Sequence, residues 1–284
     1  MPTCCGVDES TPPNLNLLWK DAKSSLPDPG ALRLLTILNP TSAGLLSLVG
    51  VGPGDPGLLT LAAVEAIRKS QVVAYPVAAP GNESMAASIA ADWIRDDHQR
   101  LPLVFPMVEA AAPRQEAWNT ASATLLSLVR AGQRVVLLCE GDSSLYASCS
   151  YVLLAIRQLW RDCPLNVIPG ISSLSAAAAA GRWPLTLQED QLLLRPCPED
   201  ADTLNRELDE AATHQRVLAL LKLGKRWRWV REVLDHRNLL RDALFAERVG
   251  WTDQRISPAQ DVAGERRPYF SLLLIRLRWP DVLP

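Results

Sequence analysis

From residue 45 onward the chain repeats one unit: a short apolar run with no polar face, a turn, then a segment whose apolar residues recur at helical spacing. The runs fall at residues 45–51, 71–75, 101–105, 134–139 and 165–168. Strands that are apolar on both faces have to be covered on both faces, as in a parallel sheet whose crossover helices lie above and below it. A mostly parallel sheet is therefore expected. Helices are expected over 61–70, with Thr60 as N-cap and Leu61, Val64 and Ile67 on the buried face. Others are expected over 83–94, over 118–130 before Gly132, and over 145–160, while Pro76 should stop the second strand.

Beyond Trp183-Pro184 the pattern changes. Candidate strands at 191–195, 217–223, 243–249 and 269–277, with helices at 202–212 and 226–235, read as a second α/β domain with a mixed sheet. The fold class expected is α/β, in two domains, 45–169 and 170–284, which suits a chain of 284 residues. Residues 1–44, rich in Pro, Asn, Ser and Asp, are expected to form a flexible extension mostly outside the fold.

Composition narrows the function classes. A net charge of −2 argues against a broad nucleic-acid footprint. No apolar run reaches the roughly 18 residues that a membrane span needs, and residues 1–16 show no secretory signal pattern. The six cysteines lack C-x-x-C spacing and the three histidines are scattered, so no metal is expected; Cys4 and Cys5 read as reduced thiols. A cytoplasmic location is expected.

The first turn, Gly50-Val51-Gly52-Pro53-Gly54-Asp55-Pro56, has the flexibility of a nucleotide loop and the wrong charge for phosphate. In a dinucleotide fingerprint the third position is Gly or Ala, and here it is Asp55. The second strand ends in Tyr75-Pro76 without a ribose-binding acid, and no GK[ST] follows the glycines. Asp55 thus argues against an NAD-type oxidoreductase. A ligand without phosphate and with a positive centre suits the turn, S-adenosylmethionine being one. Equally weighted is the plain alternative that Asp55 caps the turn with Pro56 at its first position. Three further turns leave candidate strand ends: Tyr75-Pro76, 140–146 (EGDSSLY) and 169–173 (PGISS). Ligands of open α/β sheets collect at such an edge.

In order and spacing these turns resemble the tetrapyrrole methylases, the class III S-adenosylmethionine-dependent methyltransferases, which open with GxGxGDPxLLT, as at 50–60 here. Within the family the likeness is to the branch that methylates precorrin-2 at carbon 20 in cobalamin synthesis. VVAYP (72–76), LLCEGD (137–142), LKLGK (221–225), ERVG (247–250) and PYFSLLLI (268–275) resemble that branch. The resemblance implies an active-site cleft between the two domains, S-adenosylmethionine as methyl donor, a small tetrapyrrole substrate and a homodimer. Carried over by position, it implies donor contacts from Pro53, Glu140, Gly141, Asp142, Leu145, Ser172, Ser173, Leu223 and Ala246. It implies substrate contacts from Gly52, Asp55, Tyr75, Tyr146, Lys222 and Arg248. One departure stands out: the branch reads GDPFFYGS where this chain has Gly141-Asp142-Ser143-Ser144-Leu145-Tyr146-Ala147-Ser148.

An in-line displacement from an activated sulfonium needs positioning rather than a nucleophilic side chain. A base must take the proton from the methylated ring, and Asp55, Glu140, Asp142 and Tyr146 are the candidates, among which the sequence does not choose. The basic and aromatic run 225–229 resembles an RNA-binding pattern, but a helix burying Trp227, Val230 and Leu234 explains it more simply. Alternatives are a sibling acting on another corrin carbon or on uroporphyrinogen III, and a tetrapyrrole-binding protein without turnover.

Overall fold

The computed structural model describes residues 44–108 and 110–279; the expectations for residues 1–43, Cys4 and Cys5 included, lie outside them. The first sheet contains β1 (Leu45–Gly50), β2 (Val72–Val77), β3 (Gln99–Val104), β4 (Arg134–Cys139) and β5 (Leu165–Ile168), all parallel, in the order β3-β2-β4-β1-β5. Helices α1 (Leu61–Lys69), α2 (Met85–Ile89), α3 (Ala111–Arg130) and α4 (Ser148–Leu159) cover it. Alternate residues of β4 feed two cores. Val135, Leu137 and Cys139 pack with Leu125 and Val129 of α3 and Val152 and Ile156 of α4. Val136 and Leu138 pack with Ala63 and Ile67 of α1 and Ala86 and Ile89 of α2. This double burial is why the strands lack a polar face.

The second sheet is mixed. It contains β6 (Gln191–Pro196), β7 (Arg216–Leu221), β8 (Ala243–Glu247), β9 (Arg255–Pro258) and β10 (Ser271–Ile275), in the order β6-β7-β10-β8-β9. Only β6 and β7 pair in parallel. Helix α5 (Ser173–Ala180) packs its Leu174, Ala176, Ala177 and Ala178 on one face, against Leu244, Ala246 and Leu272. Helices α6 (Ala201–His214) and α7 (Trp227–His236) cover the other face. Trp227, Val230 and Leu234 are fully buried there, and the Trp227 ring lies 4.8 Å from that of Phe245. The run at 225–229 is thus the start of an amphipathic helix.

Several boundaries differ from the sequence reading. β2 continues through Pro76 because its pairing with β4 ends at Ala74↔Leu137, so the missing N–H removes no bond on that side. α3 begins at Ala111 rather than 118, since Pro113 in a first turn removes no intrahelical bond. α4 begins only at Ser148, because residues 140–147 are tied into a turn. The expected helix at 83–94 divides into α2 and a separate turn of 3-10 helix at Ala91–Trp93. β9, four residues at the sheet edge, was not anticipated. No helix among the described residues is long and apolar enough to cross a membrane.

Candidate functional site

Parallel pairing of β1, β2, β4 and β5 delivers the four singled-out turns to one edge of the first sheet. At Gly50 a Cβ would lie 2.7 Å from both the Gly141 carbonyl oxygen and the Gly170 nitrogen, so three turns meet backbone to backbone. Gly52 and Gly141 exchange N–H···O bonds of 3.1 and 2.7 Å. A Cβ on Gly54 would meet the Trp251 ring and lie 2.8 Å from the Gly250 carbonyl carbon. The first and third glycines are therefore required by close approach, one to neighbouring turns and one to the second domain. Asp55 is exposed and its Oδ1 accepts from Gly57 N–H at 2.7 Å, with Pro56 opening a 3-10 turn. Its side chain caps the turn.

Asp142 works as a clamp. Oδ1 accepts from the Ser144 N–H (2.9 Å) and hydroxyl, and Oδ2 accepts from the Gly170 N–H (2.9 Å), joining the turns after β4 and β5. Burial pushes its pKa up, but the Ser144 hydroxyl and N–H and the Gly170 N–H outweigh that and hold it below the usual aspartate value. Ser143, which replaces a proline of the branch it resembles, is buried and donates to the Ile168 carbonyl at 2.9 Å. The substitution thereby adds a second tie between the same two turns. Leu145 is 36% exposed on the rim.

Glu140 differs from its neighbours. Its carboxylate is half-buried and has no hydrogen-bond or ion-pair partner among the described residues. Burial pushes its pKa up to about 7. Ser172 caps α5, its hydroxyl accepting from Ser175 N–H at 3.1 Å, and Ser173 is the first helical residue.

The facing wall belongs to the second domain. Tyr146 reaches across and donates its hydroxyl to the Leu194 carbonyl at 3.0 Å. Lys222 Nζ stands 5.8 Å from the Tyr146 ring centre and 5.6 Å from that of Tyr269, a two-sided cation–π contact. Arg248 is paired with Asp253 and lies over Trp251, 5.4 Å from its ring centre. Tyr146 (φ 53°), Lys222 (φ 60°) and Arg248 (φ 48°) all hold left-handed backbones, which costs about 1–3 kcal/mol each and clusters at functional sites. Trp251 Nε1 donates to the Pro53 carbonyl at 3.0 Å, a second crossing between the domains.

The structure thus brings Gly52, Glu140, Gly141, Asp142, Ser172 and Ser173 to one edge, with Tyr146 reaching Lys222 on the wall. Leu223 and Ala246 do not reach the cleft surface. Both are fully buried, and the Leu223 backbone is already bonded to the Ser271 carbonyl and the Arg226 N–H. Pro53 is buried with its carbonyl taken by Trp251. Tyr75 is half-buried and packs on the α1–α2 side of the sheet. Trp251 and Tyr269 were missed by the sequence reading, although Trp251 directly follows the ERVG motif and Tyr269 lies within PYFSLLLI.

Residues 45–262 match the family model of the Tetrapyrrole (Corrin/Porphyrin) Methylases. The cobalamin biosynthesis protein CobIJ of Mycobacterium tuberculosis (strain ATCC 25618 / H37Rv) is 35% identical over 83% of this chain. The chain spans about half of that relative, 46% of its length. The precorrin-2 C(20)-methyltransferase of Sinorhizobium sp is 30% identical over 84% of this chain and 97% of its own. Among solved structures, the cobalt precorrin-4 methyltransferase CbiF shares the fold, with a TM-score of 0.60 at 21% identity, over 84% of this chain and 98% of that one.

Proposed function

This chain belongs to the tetrapyrrole (corrin/porphyrin) methylases, and we propose that it methylates precorrin-2, or its cobalt form, at carbon 20. The observation that carries this reading is the 30% identity that extends over 97% of the Sinorhizobium enzyme of that name. S-adenosylmethionine supplies an activated methyl on a cationic sulfur. The edge suits a cation without phosphate: it presents carboxylates at Asp55, Glu140 and Asp142 and no basic side chain on the turns at 50–55, 140–145 and 169–173.

In this reading Gly141, Leu145, Ser172 and Ser173 hold the donor. Asp142 acts mainly by keeping the turns after β4 and β5 together. Tyr75, Asp55, Tyr146, Lys222 and Arg248 face the tetrapyrrole, whose carboxylates call for cations on the wall. Most of the rate comes from holding the ring carbon in line with the methyl group. A sibling substrate is the second reading, favoured by Ser143, Ser144 and Leu145, which take the place of a proline and two aromatics. A homodimer acting in the cytoplasm is part of the same proposal, and sedimentation velocity would report the two-chain assembly.

The test is an anaerobic incubation with precorrin-2, with and without cobalt, and donor carrying a 13C methyl. One label at carbon 20 is expected. A label on another carbon would select the sibling reading, and donor binding without any transfer would mean a binding protein.

A further inference from the structure

Methylation at a ring carbon leaves a proton to be removed, and the structure separates the four groups that the sequence left equal. Asp55 has Oδ1 engaged by Gly57 N–H and stands exposed on the outer turn. Asp142 has both oxygens committed, to Ser144 and to Gly170, and these bonds stabilise its charge and weaken it as a base. The Tyr146 phenol is spent on the Leu194 carbonyl. Among the described residues, Glu140 alone of the four has no partner. It follows the last residue of β4, and by strand alternation it continues the row of Val136 and Leu138, on the side of the sheet where Tyr75 of β2 also packs.

Resting on the methyltransferase reading above, we infer that Glu140 is the base that removes the carbon-20 proton after methyl transfer. In the first step the ring carbon's electron pair forms the C–CH3 bond, while the S–CH3 pair stays on sulfur and leaves a neutral thioether. The ring then carries the positive charge. The Glu140 carboxylate takes the proton from carbon 20, the C–H pair returns to the ring, and the proton passes to water. No oxidant or reductant is needed.

The surroundings agree with this role. On its own turn Glu140 has Cys139, whose buried thiol is pushed well up first by its hydrogen bond with Cys149, and the committed Asp142. The neighbouring elements offer Tyr75 within β2 and Asp55 on the first turn. α2 carries no titratable side chain, and α1 carries Glu65 paired with Lys69, together with Arg68. No cation among the described residues pairs with Glu140, and burial raises it to about 7, which leaves a base that is both ionised and able to accept near neutral pH.

The experiment compares full-length wild type, Glu140→Gln and Glu140→Asp on precorrin-2 in rapid-quench and steady-state runs. For Glu140→Gln we expect donor affinity within about threefold by calorimetry and a burst of about one S-adenosylhomocysteine per site. Later turnovers should be slower by about 10²–10⁴-fold, the size of a lost general base. The acid limb of the wild-type kcat profile should disappear in Glu140→Gln, and Glu140→Asp should recover part of the rate. An unchanged kcat with the limb retained would overturn the inference. So would loss of donor binding in step with activity, which would make Glu140 a donor contact. Wild type that binds donor but leaves carbon 20 unmethylated would instead overturn the substrate reading.

Discussion

Gly54 shows how one residue's role can be legible in kind and illegible in target. Its place in a glycine turn signals a close approach, but the partner, Gly250-Trp251, lies almost 200 residues away and becomes visible only after folding. Gly54→Ala would push a methyl into the Trp251 ring and the Gly250 backbone, and a loss of about 1–3 kcal/mol is expected, read as a lowered urea midpoint. A smaller change would mean that the two domains are not seated on each other there. Asp142 was similarly visible as a candidate and hidden in its work, because its partner Gly170 reaches it only through the β4-β1-β5 order. Asp142→Ala removes the clamp as well as the charge. Binding of S-adenosylhomocysteine should weaken by roughly tenfold or more, the range for a hydrogen bond to a charged group. Unchanged calorimetric affinity would separate the clamp from the donor site. Leu223 and Ala246 mark the opposite limit: a family position was transferred, and the side chains proved to be in the core.

At the level of elements, local signals served well where a single residue decides the end. Thr60 was read as an N-cap, and its hydroxyl accepts from Ala63 N–H at 3.1 Å. They failed where tertiary pairing decides, as at Pro76 in β2 and at the four-residue β9. The connection from α5 to β6 depends on a buried ion pair that no local pattern announces. Arg276, just past β10 and 2% exposed, donates to Asp190 at 2.6 Å and to the carbonyls of Pro184 and Leu185 at 3.2 and 2.9 Å. Arg276→Ala leaves Asp190, only 12% exposed, without its cation, and a loss of about 3–5 kcal/mol is expected in chemical denaturation. Burial opposes the charge on Asp190, but Arg276 and the Leu187 N–H prevail and lower its pKa from 3.8. A carboxyl that is lowered in the folded state stabilises above its unfolded value, and the benefit vanishes as pH falls through its folded value. The gap in melting temperature between wild type and Asp190→Asn should therefore be full near neutral pH and close as the pH drops below 3.8. A gap that is the same at all pH values would mean that the pair contributes through shape alone.

Across the whole molecule, two α/β domains meet at a cleft, and the hydrogen bonds of Trp251 to Pro53 and of Tyr146 to Leu194 run across it. The fold class was legible because double-sided burial of a parallel sheet leaves a direct mark on composition, run by run. The edge of the site was legible for a related reason, since parallel strands send all their following turns the same way. The facing wall was only partly so. Lys222 was singled out, whereas its placement between Tyr146 and Tyr269 needs a strand end, a loop from the other domain and the segment leading into β10 to converge. We propose that the joined turns at 50–55, 140–146 and 169–173 hold the methyl donor against that wall. A crystal structure of the full-length protein with S-adenosylhomocysteine tests it most directly. The ligand is expected against Gly141, Leu145, Ser172 and Ser173, with the Asp142 clamp intact; a ligand bound away from these turns would overturn the assignment.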